Sequence, residues 1–503
     1  MCIRDRTSSG SKVYDANTNA LAGAITLSNL VSGEALSHSG TATIGSANVG
    51  SYTITNLAGI TIADGSGGAA SNYTLTGGTH NFTVNRRVVG VSGTRLYDAT
   101  TNAVASDLST HANLVGSQTL TLSGTGTIAS KDVGSNKTVS VGTLALGNGS
   151  NGGLAGNYTL TGGTHQLTVN QRPLNATLAR QYDGTTASAG STLSSFDALQ
   201  GGETLTLSGS GTAANDNVAN GISVSSLGTL ALVNGTGAAS NYSLNSAAIN
   251  ITQRVLNSSG SKIYDANTNA LAGAITLSNL VSGEALNHSG TATIGSANAG
   301  SYTISNLSGI SIADGSGGAA SNYTLTGGTH NFTVNRRVVS VQGNKTYDGN
   351  ATISAGNITS VTGTVGSQTL VISGGSGTVS AANVATYSSS AINEGTLTLG
   401  NGANGGLASN YTLTGHASSS FQINQRVLNS SGSRIYDGST TASSSDLTLS
   451  NLVGTETLTL SGNGTLANAN VATNKSVTLN TLSIADGSNG GLAANYILAG
   501  GTH

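Results

Sequence analysis

The segment KVYDANTNA, Lys12–Ala20, returns as KIYDANTNA at Lys262–Ala270, and looser copies recur along the rest of the 503-residue chain. Every copy contains a basic residue, one spacer residue, and then Tyr and Asp. The six copies of this basic-Tyr-Asp motif are Lys12, Tyr14 and Asp15; Arg95, Tyr97 and Asp98; Arg180, Tyr182 and Asp183; Lys262, Tyr264 and Asp265; Lys345, Tyr347 and Asp348; and Arg434, Tyr436 and Asp437. Successive motif tyrosines lie 82 to 89 residues apart. A repeat of that length indicates a tandem array of small domains.

A second marker keeps the same phase. The dipeptide Asn-Tyr follows each motif tyrosine by 58 to 63 residues, with its asparagine at Asn72, Asn157, Asn241, Asn322, Asn410 and Asn495. Residues 8–89 and 258–339 differ at six positions only, which indicates a recent duplication of one block. We divide the chain into repeat 1 (7–87), repeat 2 (88–172), repeat 3 (173–254), repeat 4 (255–337), repeat 5 (338–426) and repeat 6 (427–503, predicted to be truncated at its C-terminal end).

Composition excludes several classes of protein. Charged residues make up 8% of the chain and the formal net charge is −2, so the excess of basic residues that phosphate binding needs is absent. Glycine is abundant, at 72 residues, but hydrophobic residues make up 37% and alternate with polar ones in short runs. In QTLTLSG, for example, Leu120 and Leu122 alternate with threonine and serine. This alternation is typical of half-buried strands and not of a disordered chain.

We therefore predict an all-β fold, in which six small β-sandwich-like domains form a tandem array with the shape of an elongated rod. A β-solenoid is the alternative architecture. A solenoid coil repeats roughly every 20 to 30 residues, whereas the period here is near 83. The segments between repeats, such as FTVNRRVV at Phe82–Val89, contain no Gly, so we expect stiff joints. Because aromatic residues make up only 4%, each core is expected to be thin and to depend on its neighbours.

Both ends of the chain depart from the repeat. Residues 1–6, MCIRDR, differ from the QRVLN that precedes the equivalent position in repeat 4, so we interpret them as a segment foreign to the fold. They contain Cys2, the only cysteine, which excludes an internal disulfide, and they are too short and polar for a signal peptide. The chain stops at GGTH, His503, where repeat 4 continues GGTHNFTVNRR, so we expect repeat 6 to lack its last strand.

The basic-Tyr-Asp motif has the character of a framework element. A spacing of two on a strand places Lys12 and Tyr14 on the same side, where the lysine stem can cover the ring while the amine remains in water or meets a carboxylate. Asp15 begins the segment DANTN, where its carboxylate can accept backbone N–H groups and fix a turn. We interpret the tyrosine as a core residue and the aspartate as a turn lock in all six repeats.

Calcium binding is an alternative role for a different set of aspartates. Asp64, Asp314 and Asp486 lie in IADGSGG or IADGSNG, which resemble parts of Asp/Gly-rich loops, so they are weak calcium candidates. No repeat shows alternating Asp and Asn ligands followed by a terminal Glu. Three repeats have asparagine at this position: Asn148, Asn234 and Asn401. We expect no cofactor.

Catalysis is not indicated by any cluster of residues. The histidines recur at repeat positions, and we interpret those of the GTH tripeptides as turn or surface residues: His80, His165, His330 and His503. No cysteine partner, nucleophile elbow or pair of carboxylates accompanies them. Four glutamates share one equivalent place before a strand: Glu34, Glu203, Glu284 and Glu456. We predict that the protein is not an enzyme.

The pattern K/R-x-Y-D-G-x-T, followed by an Asn-Tyr strand in tandem units near 80 residues, resembles the YDG-type repeats of large filamentous-haemagglutinin-like adhesins from Gram-negative bacteria. The resemblance covers the chain after Arg6, although Ala16, Ala99 and Ala266 stand where the motif has Gly. It implies an exported protein, delivered through an outer-membrane secretion partner, in which such repeats form the long non-catalytic portion. No ligand-binding residue carries over, because the repeat motif is a framework signature.

We therefore expect a fragment of the repetitive stalk of a secreted or cell-surface bacterial adhesin, a non-catalytic spacer that projects a binding region. One alternative is a repeat array that itself binds glycans or partner adhesins, and a minor one is a calcium-stabilised extracellular repeat protein. Host or neighbouring-cell surface glycans or proteins would be bound through regions outside this fragment. The expected location is extracellular or at the bacterial cell surface, without nucleic-acid binding or membrane insertion.

Overall fold

The computed structural model describes residues 4–503, so Cys2 lies outside the described residues. Strands hold 51% of the chain and no helix reaches seven residues, which confirms the predicted all-β class. No helix among residues 4–503 is long and apolar enough to cross a membrane. The helical elements of this part of the chain are three-residue 3-10 turns: Ala22–Ala24, Ala70–Asn72, Ala105–Asp107, Ala155–Asn157, Gly190–Thr192, Ala239–Asn241, Ala272–Ala274, Ala320–Asn322, Ala355–Asn357, Ser389–Ala391, Ala408–Asn410, Ser444–Asp446 and Ala493–Asn495.

Repeat 2 shows the arrangement of strands that the other repeats vary. Its motif strand, which ends just before the Tyr-Asp pair, is Gly90–Leu96. The motif strand lies between Thr110–Ala112, to which it is antiparallel, and the closing strand His165–Asn170, to which it is parallel. Three further strands continue the sheet beyond the closing strand: Gly134–Ser140, Thr125–Ile128 and Asn102–Val104. The result is one curled sheet of six strands.

The closing strand lies inside the sheet because its alternate residues are apolar. Leu167 and Val169 are 0% and 1% exposed, whereas Gln166 and Thr168, on the opposite face, are only half-buried. A phenylalanine takes the place of Leu167 in three other repeats: Phe82, Phe332 and Phe421. Each closing strand therefore supplies two large side chains to the interior of its repeat.

The strands of each repeat have the following bounds. For repeat 1 and the residues before it they are Arg4–Asp5, Thr7–Val13, Asn19–Leu21, Ile25–Ser28, Ser37–Ile44, Gly50–Asn56, Ile60–Ala63, Tyr73–Thr74 and His80–Asn85. For repeat 2 they are Arg87–Val88, Gly90–Leu96, Asn102–Val104, Thr110–Ala112, Leu120–Ser123, Thr125–Ile128, Gly134–Ser140, Ala145–Asn148, Tyr158–Thr159 and His165–Asn170. For repeat 3 they are Arg172–Gln181, Ala187–Ala189, Leu193–Phe196, Leu205–Ser208, Ser210–Ala213, Ala219–Ser226, Ala231–Asn234 and Tyr242–Thr252.

Repeats 4 to 6 have a similar order of strands. For repeat 4 the strands are Arg254–Val255, Asn257–Ile263, Asn269–Leu271, Ile275–Ser278, Leu286–Ile294, Gly300–Asn306, Ile310–Asp314, Tyr323–Thr324 and His330–Asn335. For repeat 5 they are Arg337–Val338, Ser340–Thr346, Thr352–Ser354, Ile358–Thr362, Leu370–Gly374, Ser376–Val379, Ala385–Ser388, Ile392–Asn393, Thr398–Asn401, Tyr411–Thr412 and Ser420–Asn424. For repeat 6 they are Arg426–Val427, Asn429–Gly432, Thr441–Ser443, Leu447–Ser450, Leu458–Ser461, Asn463–Leu466, Val477–Thr478, Ser483–Asp486 and Tyr496–Ile497.

The repeats differ in how completely the main sheet is joined. In repeats 1 and 4 a longer strand, Ser37–Ile44 or Leu286–Ile294, connects an outer hairpin strand to the main sheet. In repeat 5 the main sheet is divided into a four-stranded and a three-stranded sheet. In repeat 6 the motif strand Asn429–Gly432 forms a two-stranded sheet with Leu447–Ser450, and no closing strand is present within the described residues.

The chain divides into two compact units, Met1–Thr252 and Gln253–His503, and within each unit the apolar interior crosses the repeat boundaries. In the first unit, Ile44 of repeat 1, Leu108 of repeat 2 and Leu174 of repeat 3 belong to one cluster of buried residues. In the second unit, one cluster joins repeats 4 and 5 and another joins repeats 5 and 6. Because small domains bury a modest share of their surface, a neighbour supplies part of each core.

The segment predicted to be foreign to the fold pairs with repeat 1. Arg4–Asp5 runs parallel to Tyr73–Thr74. Arg6, which follows, is fully buried against the Tyr73 ring, and its three guanidinium nitrogens have no hydrogen-bond partner among the described residues. The other repeats have a buried apolar residue at this place: Val89, Leu174, Leu256, Val339 and Leu428. A buried guanidinium without hydrogen bonds destabilises the fold, so this part of the segment fits its site poorly.

A candidate functional site at the joints between repeats

The basic-Tyr-Asp motif folds into a turn that closes around its own basic side chain. In repeat 5, Lys345 Nζ donates to Asp348 Oδ1 at 2.8 Å, and to the carbonyl oxygens of Asn350 at 2.7 Å and Thr352 at 2.8 Å. Burial disfavours the Asp348 carboxylate, but hydrogen bonds from Lys345 and the Asn350 N–H outweigh it and lower the pKa of Asp348. The same ion pair recurs in the other repeats: Lys12–Asp15, Arg95–Asp98, Arg180–Asp183, Lys262–Asp265 and Arg434–Asp437.

The motif aspartate also fixes the backbone of this turn. In repeat 2, Asp98 Oδ1 accepts the N–H of Thr100, two residues later, at 3.0 Å. The intervening residue has positive φ in every repeat: Ala16 (64°), Ala99 (63°), Gly184 (73°), Ala266 (61°), Gly349 (78°) and Gly438 (74°). Left-handed backbone costs an L-residue about 1–2 kcal/mol, which explains the glycine of the motif and makes the three alanines strained.

The motif tyrosine of one repeat meets the Asn-Tyr tyrosine of the next repeat. Tyr14 of repeat 1 and Tyr158 of repeat 2 pack edge to face, with ring centroids 5.3 Å apart and ring planes at 78°. The other pairs are Tyr97–Tyr242 at 5.2 Å, Tyr264–Tyr411 at 5.3 Å and Tyr347–Tyr496 at 5.3 Å. We call these four regions, between repeats 1 and 2, 2 and 3, 4 and 5, and 5 and 6, the joints. Edge-to-face pairs contribute about 0.5–1.5 kcal/mol beyond area burial.

One polar side chain connects the two tyrosine hydroxyls of each joint. Between repeats 5 and 6, the Tyr347 hydroxyl donates to Glu456 Oε1 at 2.8 Å and the Tyr496 hydroxyl donates to Glu456 Oε2 at 2.6 Å. Burial, together with the Glu456 carboxylate, raises the pKa of both tyrosines to about 12. The equivalent bridging residues of the other joints are Gln118, Glu203 and Gln368.

The joint between repeats 2 and 3 adds a cation to this arrangement. Glu203 pairs with Lys131 of repeat 2 and accepts hydrogen bonds from the hydroxyls of Tyr97 and Tyr242. Burial raises the pKa of a carboxyl group, but these hydrogen bonds more than compensate, so the pKa of Glu203 is lowered. The carboxylate at this joint is therefore held in its charged form by groups from both repeats.

The asparagine of the Asn-Tyr marker reaches back into the preceding repeat. Asn410 is fully buried; its Oδ1 accepts the Ala299 N–H at 2.8 Å and its Nδ2 donates to Asn298 Oδ1 at 2.9 Å. The same two bonds run from Asn157 to Val49 and Asn48, from Asn241 to Val133 and Asp132, and from Asn495 to Val384 and Asn383. In repeat 1, which has no preceding repeat in this chain, Asn72 is only half-buried.

An arginine completes two of the joints. Arg87 Nε and Nη2 donate to the carbonyl oxygen and Oδ1 of Asn113 at 2.7 Å and 2.8 Å, and Nη1 donates to the Tyr14 carbonyl oxygen at 3.3 Å. Arg426 makes the equivalent contacts with Asn451 and with the Tyr347 carbonyl oxygen. The planar guanidinium thus fixes a loop of one repeat against the motif tyrosine of the repeat before it.

The weak calcium candidates cap 3-10 turns. Oδ1 of Asp64, Asp314 and Asp486 accepts a backbone N–H, from Ala70, Ala320 and Ala493 respectively, at 2.7 Å in each case. Asparagines at the same position make the same bond at 2.8–2.9 Å: Asn148, Asn234 and Asn401. Residues 4–503 contain no group of three or more side chains of the kinds that hold a metal ion. An amide that replaces the carboxylate without loss of the bond favours a structural role.

Three of the four GTH histidines are buried, so the interpretation of His80, His165 and His330 as turn or surface residues is wrong, whereas His503 is half-buried. His80 is 4% exposed; its Nδ1 lies 2.8 Å from Ser8 Oγ and its Nε2 lies 2.8 Å from the Leu75 carbonyl oxygen. His165 and His330 are similarly buried, at 5% and 6% exposed. The reason is that each ring packs at the start of the closing strand, although the Gly and Thr residues before it look like an exposed turn in the sequence.

The sequence predicts the motif residues but not how they combine. The basic residue and the aspartate meet within one repeat, whereas the tyrosine contacts the next repeat. Gln118 and Gln368 do not stand out in the sequence, although they occupy the position of the recurrent glutamates, two of which are bridging residues. Alignment of the six repeats at this position, Glu or Gln throughout, was the available signal.

The YDG domain family model matches six consecutive segments of the chain: residues 3–80, 83–168, 164–251, 250–330, 333–420 and 423–503. Each segment contains one basic-Tyr-Asp motif and one Asn-Tyr marker, so the matches follow the same period as the joints. No curated protein matches the chain.

Proposed function

Because this chain belongs to the YDG domain family, of which it contains six tandem copies, we propose that it is a non-catalytic spacer whose joints hold successive repeats in fixed orientations. The observation that carries the proposal is the repetition of one joint, with a tyrosine pair, a bridging Glu or Gln and a buried asparagine, at four places. The residues that recur most regularly thus serve contacts between repeats, which is what a mechanical array requires.

The strength of a joint comes from several modest contributions. An edge-to-face ring pair adds about 0.5–1.5 kcal/mol, and each hydrogen bond of the marker asparagine adds about the same. The shared apolar interior contributes further, since separation of two repeats would expose buried tyrosines such as Tyr97 and Tyr158. These contributions act together because they link the same two rigid sheets, and bending at the joint would break them at once.

Distance measurements across a joint test the proposal. In the full chain with Cys2→Ser, spin labels at Ser39→Cys and Thr127→Cys occupy exposed strand positions of repeats 1 and 2. A fixed joint gives a narrow distance distribution by electron double resonance, and Asn157→Ala should broaden it. The matched control is Asn72→Ala. Asn72 is the marker asparagine of repeat 1, and it lies in the equivalent 3-10 turn but does not belong to one of the four joints. A broad distribution in the parent chain would contradict a fixed joint.

We propose further that the spacer belongs to the stalk of a secreted or cell-surface bacterial adhesin. Support comes from the resemblance of the motif to repeats of filamentous-haemagglutinin-like proteins and from the use of the basic residues in turns and joints, which leaves few of them for ligand binding. Antibodies raised against the chain should label intact cells of the bacterium that carries the gene. Labelling that requires permeabilised cells would contradict this location.

Binding by the repeats themselves is the competing function. A glycan array probed with the full chain separates the two, because a spacer gives no reproducible, saturable binding. Such binding would replace the spacer function by an adhesive one. Loss of the binding in a joint variant such as Asn157→Ala would place the binding surface at the joint.

A further inference from the structure

The motif strand and the closing strand of a repeat are neighbours that run in the same direction. In repeat 2, the motif strand Gly90–Leu96 and the closing strand His165–Asn170 form six parallel residue pairs. The chain enters this ladder at the N-terminal end of the motif strand and leaves it at the C-terminal end of the closing strand. Because the two strands are parallel, the entry point and the exit point lie at opposite ends of the ladder of backbone hydrogen bonds.

This connection determines how tension along the chain acts on the ladder. A pull on the entry and exit points draws the two strands past each other along their own axis, so that all the hydrogen bonds between them are loaded together. Neither strand is at an edge, since Thr110–Ala112 pairs with the motif strand and Gly134–Ser140 with the closing strand on their outer sides. Separation of the same two strands from one end would instead break the bonds one after another. Loading in shear therefore requires the greater force.

The same arrangement is present in repeats 1 to 5. The parallel strands form six residue pairs in repeats 1, 2 and 4, five in repeat 5, and ten in repeat 3, where one bulge interrupts them. The backbone N–H of the motif tyrosine adds a hydrogen bond at the exit end of each ladder, at 2.8–2.9 Å: Tyr14 to Asn85, Tyr97 to Asn170, Tyr182 to Thr252, Tyr264 to Asn335 and Tyr347 to Asn424. Repeats with different loops thus share this pair of strands.

Buried side chains oppose sliding of the two strands. In repeat 4, Phe332 is 1% exposed and pairs with Gly260, where an added Cβ would lie 2.8 Å from the ring. A slide of two residues, the smallest that keeps Phe332 on the same face, would place the ring opposite Ser258 or Lys262, each of which has a Cβ atom. Two other repeats have the same pair of Gly and Phe: Gly10 with Phe82, and Gly343 with Phe421. Side-chain packing therefore adds to the hydrogen bonds that resist shear.

We propose that repeats 1 to 5 bear tension, each through its parallel motif and closing strands, so that the chain is a load-bearing tether. This function goes beyond the spacer function, because a joint can fix the orientation of two repeats in a chain that is never under load. It also depends on contacts within a repeat and not on the joints between repeats. The two functions can therefore fail separately.

Two pulling geometries in repeat 2 of the full chain test the proposal. Both variants carry Cys2→Ser and Asn170→Cys, which provides an attachment point at the exit end of the closing strand. The second attachment point is Val88→Cys, beside the entry end of the motif strand, in the shear variant, and Leu96→Cys, which pairs with residue 170, in the unzipping variant. Val88 and Leu96 are 38% and 46% exposed and Asn170 is also exposed, so no buried side chain is replaced.

Single-molecule force measurements through the two cysteines give the unfolding force of repeat 2. Unfolding extends 82 residues in the shear variant and 74 in the unzipping variant, which identifies the event by a contour length of about 270–295 Å or about 245–265 Å. At one pulling speed, we expect the shear variant to unfold at a force at least about twofold higher, since six residue pairs are loaded together. Equal forces, or a lower force in the shear variant, would overturn the proposal.

Discussion

Asn410→Ala should weaken the joint between repeats 4 and 5 while leaving both repeats folded. The substitution removes two hydrogen bonds to repeat 4, to the Ala299 N–H and to Asn298 Oδ1. At about 0.5–1.5 kcal/mol each, the loss is about 1–3 kcal/mol in the free energy that holds the joint closed. The backbone bond from the Asn410 N–H to the Leu407 carbonyl oxygen, which shapes the local turn, is unaffected.

Hydrogen exchange of the native full chain, followed by mass spectrometry, measures this loss. The Ala299 amide is the reporter because it donates to the side chain that the substitution removes. A change of about 1–3 kcal/mol corresponds to exchange faster by about 5- to 150-fold in peptides that contain this amide. Peptides from the closing strand His330–Asn335, inside repeat 4, should exchange at the parent rate.

Asn72→Ala provides the control, since Asn72 occupies the same turn of repeat 1 and is half-buried. It should change the free energy of unfolding by no more than about 0.5 kcal/mol. If Asn72→Ala and Asn410→Ala accelerated exchange equally in their own repeats, the asparagine would act within its turn and not across the joint. Unchanged exchange at Ala299 would refute the reasoning altogether.

Three further changes should have measurable effects. Ala266→Gly should raise the free energy of unfolding by about 0.5–1 kcal/mol in urea, because relief of the left-handed alanine exceeds the entropy that glycine adds to the unfolded chain. Arg6→Leu should raise it by about 1–3 kcal/mol, because a buried guanidinium without hydrogen bonds is replaced, whereas Arg4→Leu at an exposed site should have little effect. Stability should fall as the pH rises from about 10 to about 12, because the folded pKa of Tyr347 and Tyr496 lies near 12, above the unfolded value near 10.

Control variants test the predictions for Ala266 and for the alkaline transition. Gly349→Ala imposes on repeat 5 the strain that Ala266→Gly removes, so the two variants must shift stability in opposite directions. For the alkaline transition, Glu456→Gln removes the carboxylate next to both hydroxyls and should move the pKa of the tyrosines towards its ordinary value. Tyrosine ionisation is followed by absorbance at about 295 nm. Identical titration curves with and without Glu456 would assign the shift to burial alone.

The elements that the sequence predicts are those that depend on local rules. Alternation of Leu167 and Val169 with polar residues specifies a strand because side chains on a strand alternate between faces. The spacing of Lys345, Tyr347 and Asp348 specifies a turn, since the aspartate and the basic residue lie close together in the chain. The strand pattern recurs in five repeats and the motif in all six, so both are visible in a single sequence without comparison to relatives.

The joint could not be predicted in the same way, because its parts lie far apart in the chain. Tyr347 and Tyr496 are separated by 149 residues, and the period that the motif and the marker share does not show that one repeat's motif contacts the next repeat's marker. The GTH histidines show the same limit. His80 is flanked by residues typical of exposed turns, yet it is buried because Ser8, 72 residues earlier, lies beside it.

The bridging position explains how the repeats can diverge while the joint is kept. A glutamate accepts both tyrosine hydroxyls, as Glu456 does. A glutamine accepts one hydroxyl at Oε1 and donates from Nε2 to the other, as Gln368 does to Tyr264 at 3.0 Å. A tyrosine hydroxyl can be donor or acceptor, so either bridge forms a hydrogen bond with both hydroxyls of the joint. Exchange between Glu and Gln therefore changes the charge of a joint without removing its hydrogen bonds, whereas any apolar residue there would leave two buried hydroxyls with fewer partners.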